Sequence, residues 1–359
     1  MTISAIEFLL LGVGAFILAG TLTWPVRKVA LWIGAMDLPD TERKTQKEAV
    51  PYLGGVSIAA SICILTYSTI YIADDTATTF PLVSYLLVPA VVMGLMGLID
   101  DLRGLQPWPR LIFQTLVGIV ISVIIIKNQF TGSPTGNELL DNLLFIVWIV
   151  GMTNSINFFD NLDGGAAGTV AISAFGISFI AYSGGQQLVT ALSFVTACAC
   201  LGFLLWNRAP ARIYMGDAGA LFLGVVVSVL TIRLDSGIQP QWLSLTLLPV
   251  LLAVPILDTC VAVLSRLRRG ISPFQGGRDH LSHRLMRKGL SKKNAAFALW
   301  AMQAGFVASA VLIYQRSEML GRQALVVTLT VWLGAFIWFW RIPSSDQGRL
   351  SSVGRASLS

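Results

Sequence analysis

The sequence predicts an all-α integral membrane protein, a bundle of about eleven transmembrane helices. Of its 359 residues, 55% are hydrophobic and 12% are charged, whereas soluble domains carry roughly 25% charged residues. This composition leaves too little polar surface to cover a globule of that size, which excludes soluble, disordered and disulfide-rich secreted proteins. Apolar stretches of about 20 residues, long enough to cross a hydrocarbon core of roughly 30 Å, recur along the chain.

Eleven stretches of this kind follow one another. The first lacks a basic leading segment, carries Glu7 and exceeds the apolar length of a cleaved signal peptide, so we interpret it as a span. Connections such as 183–186 and 235–241 are short, those on the opposite side are longer and more polar, and no internal repeat is visible. The predicted spans are 3–24, 52–73, 81–99, 110–127, 142–158, 166–183, 187–206, 218–234, 242–265, 294–315 and 322–341.

The distribution of basic residues predicts how these spans are oriented. Loops on one side hold 21 of the 25 Lys and Arg residues, and such an excess marks the cytoplasmic side. The amino terminus is then outside, the polar tail 342–359 is inside, and residues 1–341 form one transmembrane domain. The same topology accounts for the net charge of +6, so we expect no nucleic-acid partner. The predicted cytoplasmic loops are 25–51, 100–109, 157–165, 207–217 and 266–293.

Aspartates gather at the cytoplasmic ends of several predicted spans. They are Asp100, Asp101, Asp160, Asp163, Asp217, Asp258 and Asp279. Charge near a membrane is costly and usually functional, and acids that converge from several helices repel one another unless cations neutralise them. Carboxylate ligands without cysteine suit Mg²⁺, with Mn²⁺ as the alternative, and do not suit Zn²⁺. The pattern therefore predicts a site for a hard divalent cation.

The spacing within two pairs of aspartates predicts how their side chains are oriented. Asp100 and Asp101 are adjacent, so their side chains point in different directions, and one can meet a metal while the other faces a substrate. Asp160 and Asp163 lie three residues apart, so a helical continuation places them on one side.

The last large loop, 266–293, supplies the opposite charge. It holds nine Lys and Arg residues together with both histidines of the chain, His280 and His283. Acids that hold a metal, together with many cationic side chains, are what a diphosphate substrate requires. The residues therefore predict a site for a diphosphate substrate.

Several of these residues also have a structural interpretation. Asp217 can be the amino-terminal cap of the eighth span, Asp258 can pair with Arg266 or Arg268, and the two histidines can simply be solvated.

A different functional class is a cation-coupled transporter, whose intramembrane acids mark an ion path near the bilayer midplane. Asp258 is the acid placed deepest in its predicted span, and it is the candidate for that role.

Ordered motifs between Asp37 and about Lys293 resemble a known family. They are VPYLGG, the Asp100 and Asp101 pair, NFFDNLDGG, IYMGDAGALFLG, PILDT and RRGISPFQGGRDHLSHRL. In this order they are similar to the polyprenyl-phosphate N-acetylhexosamine-1-phosphate transferases, membrane enzymes that move a sugar-1-phosphate from a UDP-sugar to a polyprenyl phosphate and release UMP. The stretch from His280 to His283 resembles the His-Ile-His-His of the WecA-type N-acetylglucosaminyl branch, with Ser282 at the third position, more than the three-histidine run of the lipid I branch.

The resemblance implies a role for each matched residue. Asp217 would be the Mg²⁺ ligand, with Asp100 and Asp101 beside it and one of that pair acting as a base. Around the nucleotide would lie Asn157, Asp160, Asp163 and Tyr214, with Asp163 toward the uracil and Tyr214 stacked on it. The diphosphate or sugar would contact His280 and His283, and the further substrate-binding residues would be Lys44 and Arg278.

The resemblance also implies the substrates and their setting. The donor is a UDP-N-acetylhexosamine, with N-acetylglucosamine expected, and the acceptor is undecaprenyl or another polyprenyl phosphate. The enzyme lies among membrane lipids in the inner (plasma) membrane, with its active site on the cytoplasmic side, at the first membrane step of a cell-envelope polysaccharide pathway. A monomer and a homodimer both remain open.

The attacking group in such a reaction is a lipid phosphate oxygen, which is already anionic near neutral pH. The barrier is electrostatic because an anion approaches a diphosphate, and metal and cationic side chains lower it. We expect direct attack on the β-phosphorus. A covalent aspartyl-phosphate intermediate is the alternative that the sequence leaves open.

Overall fold

Helices make up nearly all of the computed structural model, which describes residues 4–37, 49–73, 75–131, 134–239, 241–317 and 320–343. The helices are α1 (Ala5–Trp32), α2 (Gly54–Ile72), α3 (Thr79–Arg103), α4 (Pro107–Lys127), α5 (Glu138–Phe159), α6 (Gly165–Ser183), α7 (Gln187–Asn207), α8 (Gly216–Ile232), α9 (Gln241–Leu251), α10 (Ala253–Arg268), α11 (Leu281–Arg287), α12 (Lys292–Gln315) and α13 (Gly321–Arg341). Two short strands, β1 (Met36–Asp37) and β2 (Val50–Pro51), pair antiparallel with Met36 opposite Pro51.

Most of these helices have the length and composition of membrane spans. Nine helices within the described ranges are long and apolar enough to cross a bilayer, and the bent pair α9–α10 makes ten. α8 is also apolar but has only 17 residues. The prediction of a polytopic helical membrane protein is confirmed, while the number of eleven spans and the orientation of the termini stay predictions.

The ninth predicted span is not one helix. α9 and α10 meet at an angle of 72°, so the stretch predicted as the span 242–265 is a bent pair of helices. Pro255 has no N–H to donate to the carbonyl of Leu251, four residues earlier. The Gln303 side chain from α12 repairs the break, because its Nε2 donates to Leu251 O at 2.8 Å and its Oε1 accepts from Val254 N at 3.0 Å. Irregular backbone at membrane depth is tolerated where protein groups satisfy it in this way.

α8 is the central helix of the bundle. It is buried from its third residue to its last, and it packs against α2, α3 and α5. Two glycines permit this close approach: a Cβ at Gly55 of α2 would lie 2.1 Å from the Gly219 Cα, and one at Gly97 of α3 would lie 2.4 Å from the Asp217 carbonyl oxygen. The first turn of α8 is therefore held between α2 and α3, which fixes the position of Asp217.

Candidate functional site

A cavity of about 430 Å³ opens at the end of the bundle where α8 begins. Side chains from α3, α5, α8, α11 and α12 and from the connections before α2, α6 and α8 form its wall. The lining residues are Asp37, Tyr52, Asp101, Asn157, Asp160, Asn161, Leu162, Asp163, Tyr214, Gly216, Asp217, His283 and Lys292. Among the described residues, five aspartates face one lysine there, so this acidic cavity carries an excess of negative charge.

Seven of the eleven predicted site residues line the acidic cavity. They are Asp101, Asn157, Asp160, Asp163, Tyr214, Asp217 and His283. Asp100, His280 and Arg278 are described but are not part of the wall, and Lys44 lies outside the described residues. Asp37 and Lys292 also line the cavity, and no motif in the sequence distinguishes them from other charged residues of the loops.

Asp101 joins α3 to the amino-terminal end of α8. Its Oδ1 accepts from the Asp217 backbone N–H at 2.9 Å, and its Oδ2 accepts from the Ala218 N–H at 3.0 Å. These are two of the donors that the first turn of a helix leaves unpaired, and a carboxylate there is favoured by the helix dipole. Asp101 is therefore the group that caps α8. The structural interpretation of Asp217 as that cap is wrong, because Asp217 is the second residue of the helix.

The Asp217 carboxylate is held by neutral and cationic donors. Asn157 Nδ2 donates to its Oδ1 at 2.7 Å, and Arg110 Nη1 lies 3.4 Å from its Oδ2. The same Arg110 nitrogen lies 2.5 Å from Oδ2 of Asp100, whose Oδ1 accepts from the Leu105 N–H at 2.6 Å. Asp100 and Asp101 thus point in different directions, as expected for adjacent residues. Arg110 is a further site residue, and no motif in the sequence singles it out.

The connection between α5 and α6 places two more acids on the wall. α5 ends at Phe159, so no helical continuation places Asp160 and Asp163 on one side, yet both acids line the same cavity. Burial, and then the nearby charges of Asp101 and Asp163, raise the pKa of Asp160 to about 7. Asp163 is better satisfied, because its Oδ2 accepts from Ala211 N at 3.1 Å and Lys292 Nζ lies 3.9 Å from its Oδ1.

Tyr214 reaches the cavity from the connection before α8. Its backbone N–H donates to Pro51 O at 2.8 Å and its carbonyl accepts from Gly54 N at 2.9 Å, so β2 and the start of α2 fix this connection. Burial, followed by the charge of Asp163, raises the pKa of the Tyr214 phenol above its usual value. The ring therefore stays uncharged near neutral pH and offers an aromatic face to a ligand.

The two histidines occupy different environments. His283 lines the cavity, and burial lowers its pKa to about 4, so the ring is neutral at pH 7. His280 is 6% exposed. Its Nδ1 lies 2.7 Å from Asp258 Oδ2 and its Nε2 lies 3.1 Å from Arg266 Nη2. The interpretation of both histidines as solvated is therefore wrong for His280.

Asp258 and Arg266 belong to a network of paired charges. Arg266 donates to both Asp279 oxygens at 2.9 Å, and Arg269 Nη2 donates to Asp279 Oδ2 at 2.8 Å. Asp258 pairs with His280 and not with Arg266 or Arg268, so the ion pair considered for it is wrong. We refer to Asp258, Arg266, Arg269, Asp279 and His280 as the paired network.

The donor chemistry of the acidic cavity suits Mg²⁺. Within the described part of the chain, no group of three or more His, Cys, Asp or Glu side chains is arranged to hold a metal. Mg²⁺ does not require such a cage, because it commonly binds one or two carboxylates and takes its remaining ligands from water and substrate phosphates. The carboxylates of Asp101, Asp160 and Asp217 on one wall, and the raised pKa of Asp160 among them, fit that mode of binding.

Comparison with known proteins gives consistent matches. Residues 83–235 match the family model described as glycosyl transferase family 4. The chain is 33% identical over 320 residues, 88% of this chain and 83% of the relative, to a Bacillus subtilis (strain 168) protein named "Probable undecaprenyl-phosphate N-acetylglucosaminyl 1-phosphate transferase".

Two further relatives carry similar names. A Mycobacterium tuberculosis (strain ATCC 25618 / H37Rv) decaprenyl-phosphate N-acetylglucosaminephosphotransferase is 30% identical over 368 residues, 92% of this chain and 87% of the relative. An Escherichia coli (strain K12) undecaprenyl-phosphate alpha-N-acetylglucosaminyl 1-phosphate transferase is 29% identical over 316 residues, covering 84% and 82%. These matches lend no support to the transporter alternative.

Proposed function

The chain belongs to glycosyl transferase family 4 as a polyprenyl-phosphate hexosamine-1-phosphate transferase, and on that premise we propose that it transfers N-acetylglucosamine-1-phosphate from UDP-N-acetylglucosamine to undecaprenyl phosphate and releases UMP. The observation that carries the proposal is the acidic cavity, where carboxylates from separate elements meet and where, among the described residues, Lys292 is the one Lys or Arg side chain on the wall. Such an arrangement favours a ligand that brings cations with it, as a metal-bound diphosphate does. The names of the relatives supply the sugar and the lipid.

Asp217 is the proposed Mg²⁺ ligand. When bound there, Mg²⁺ supplies Lewis-acid stabilisation of the charge on the diphosphate. Asn157 orients the Asp217 carboxylate through its 2.7 Å hydrogen bond, and Arg110 adds a cation at 3.4 Å. Asp101 positions Asp217 by accepting hydrogen bonds from the backbone N–H groups of Asp217 and Ala218 at the start of α8. These contacts hold the group in place before the substrate arrives, which lowers the cost of reorganisation in the reaction.

The proposed step is a direct displacement. An oxygen of the lipid phosphate forms a bond to the β-phosphorus, and the bond between that phosphorus and the bridging oxygen breaks, so that UMP leaves with the electron pair. The nucleophile is already an anion and no proton has to be removed from it. Both oxygens of Asp101 accept backbone hydrogen bonds and Asp100 is paired with Arg110, which favours positioning roles for this pair over that of a base.

The nucleotide is proposed to bind where Tyr214 and Asp163 meet. The uncharged Tyr214 ring offers a stacking face, and the Asp163 carboxylate can accept the N–H of a uracil ring. UDP-sugars are cytoplasmic compounds, so we place the cavity at the cytoplasmic face of the inner membrane. The excess of Lys and Arg in the loops at this end supports that orientation.

Release of UMP by the purified protein tests the proposal. With UDP-N-acetylglucosamine, undecaprenyl phosphate and Mg²⁺ in detergent, we expect UMP only when both lipid and metal are present. Asp217→Asn should lower the rate by at least about 100-fold, and EDTA should abolish it.

The matched control is Asp235→Asn, an exposed acid in the connection after α8, at the opposite end of that helix, where its Oδ1 accepts from Gly237 N. It should leave the rate unchanged. Folded protein that forms no UMP, or an Asp217→Asn variant as active as the parent, would contradict the proposal.

A further inference from the structure

We infer that His280 is a positioning residue: together with Asp258 it holds α11 so that His283, and not His280 itself, faces the substrate. His280 is buried in the paired network, whereas His283 lines the acidic cavity. Asp258, for which the sequence left several roles open, has His280 as its structural partner. The test by kcat/KM rests on the proposed function, whereas the test by chemical modification of the histidines does not.

The hydrogen bonds of His280 define its tautomer. A guanidinium group only donates, so His280 Nε2, 3.1 Å from Arg266 Nη2, must accept and carry no proton. The proton of the neutral ring is then on Nδ1, which donates to Asp258 Oδ2 at 2.7 Å. Both ring nitrogens are used within the protein, and neither is left to contact a phosphate or to exchange a proton with substrate.

The same aspartate caps α11. Asp258 is 0% exposed, and its Oδ1 accepts from the Leu281 backbone N–H at 2.7 Å. α11 is seven residues long and its own N-cap residue, His280, makes no capping bond with its side chain. A helix this short has little stability of its own, so its position depends on the carboxylate that α10 supplies.

Neighbouring residues of α11 are anchored as well. Ser282 Oγ donates to Asn161 Oδ1 in the connection between α5 and α6. Arg284 donates to Ser265 Oγ at 3.2 Å and to Phe339 O, near the end of α13, at 2.9 Å. His283 lies between these anchored positions and is the residue of α11 on the cavity wall. The contacts thus fix α11 from three sides and leave one imidazole for the ligand.

Two substitutions of His280 separate this role from a direct one. The amide nitrogen of Asn lies near the position of Nδ1 and can still donate to Asp258, whereas that of Gln lies near the position of Nε2 and cannot. We expect kcat/KM for UDP-N-acetylglucosamine to be at least about tenfold higher in His280→Asn than in His280→Gln, because only the first keeps α11 in place. If Nε2 contacted the substrate, the order would be reversed, and that result would overturn the inference.

Asp258→Asn provides a second comparison. Its amide has a single acceptor oxygen, which can accept from the Leu281 N–H or from His280 Nδ1 but cannot keep both hydrogen bonds. The variant should therefore be as impaired as His280→Gln. It replaces His280→Gln in the comparison if that protein does not elute as a folded species. An Asp258→Asn enzyme as active as His280→Asn would also overturn the inference.

Chemical modification gives a readout that does not depend on catalysis. The chain has two histidines, so diethyl pyrocarbonate acylation of protein prepared without a histidine tag, followed by peptide mass spectrometry, resolves both. His283 should react at least about tenfold faster than His280, because buried, hydrogen-bonded groups react only after local opening. The rate at which diethyl pyrocarbonate acylates His283 should be the same in His280→Asn as in the parent protein, and it should differ from the parent in His280→Gln.

These outcomes separate the two hypotheses. If the parent protein releases no UMP but shows this reactivity pattern, the proposed function fails and the positioning role stands. Equal reactivity of the two histidines in the parent would refute the positioning role whatever the activity.

Discussion

Two groups of charged residues lie at the same end of the bundle, and they handle charge in opposite ways. In the paired network, Asp279 lies within 3 Å of two guanidinium groups and is 1% exposed. In the acidic cavity, five aspartates lie on one wall. Among the described residues, Lys292 lies 3.9 Å from Asp163 and Arg110 lies 3.4 Å from Asp217. The acids of the first group are paired within the protein, and we propose that those of the second bind a cation together with the substrate.

The pKa values of the two groups shift in opposite directions. Burial alone would raise the pKa of Asp279, but the hydrogen bonds and charge of Arg266 bring it below its ordinary value. At Asp160, burial and the neighbouring carboxylates act together and raise the pKa to about 7. Proximity of charges in the sequence therefore does not identify a ligand site; an uncompensated charge in a cavity does.

The largest expected difference between the two groups is in stability. Asp279→Asn leaves the guanidinium groups of Arg266 and Arg269 without their carboxylate, and breaking a buried pair in this way costs about 3–5 kcal/mol of the free energy of unfolding. Asp217→Asn in the cavity removes a repulsive charge and should cause no loss. Thermal unfolding in detergent, followed by tryptophan fluorescence, compares them. Equal melting temperatures would show that the network is not the more structural of the two.

A substitution that separates α3 from α8 should disturb the acidic cavity more than the paired network, so we expect it to lower activity more than stability. Gly97→Ala places a methyl group 2.4 Å from the Asp217 carbonyl oxygen, so the helices must separate, and we expect kcat/KM to fall by about 100-fold with a stability loss of about 1–3 kcal/mol. Gly151→Ala on α5 is the control, since nothing lies within 4 Å of that position. The prediction fails if both variants keep parental activity.

A smaller effect is expected from the titration of Asp160. Because its folded pKa is raised to about 7, the protein without Mg²⁺ gains stability from Asp160 at acidic pH and loses it as the pH rises through 7. His283, with its pKa lowered to about 4, contributes the opposite slope between about pH 4 and 6.5. The difference between parent and Asp160→Asn isolates the first effect.

Melting temperatures of the parent and of Asp160→Asn between pH 5 and 8 measure this contribution of Asp160 to stability. The parent should lose stability relative to Asp160→Asn as the pH rises, and added Mg²⁺ should reduce that loss. A difference that is constant across this range would mean that Asp160 is already ionised at pH 5.

The fold was predictable where it depends on apolar length. The hydrocarbon core imposes that length on every span, so the composition of a stretch is sufficient to detect it. The break between α9 and α10 was not predicted, because Pro255 kinks a span only where another helix satisfies the exposed backbone, and Gln303 lies about 50 residues away in the sequence. β1, β2 and α11 are too short to show a period.

The candidate site was predictable where motif residues stand at helix ends. Asp101, Asp160 and Asp217 are placed on one wall because the ends of α3, α5 and α8 meet there. Arg110 and His280 were harder to interpret, because their roles depend on partners in other elements.

The sequence by itself determined that this protein lies in a membrane and that acids stand at the ends of several spans, and it predicted that their chemistry suits a metal and a diphosphate. Only the tertiary structure decided which of those charges are paired. Composition and topology act through the solvent and need no contact between particular residues. Neutralising a buried charge instead requires a donor at about 3 Å, and packing alone brings Arg266 to Asp279 while leaving Asp160 beside other acids.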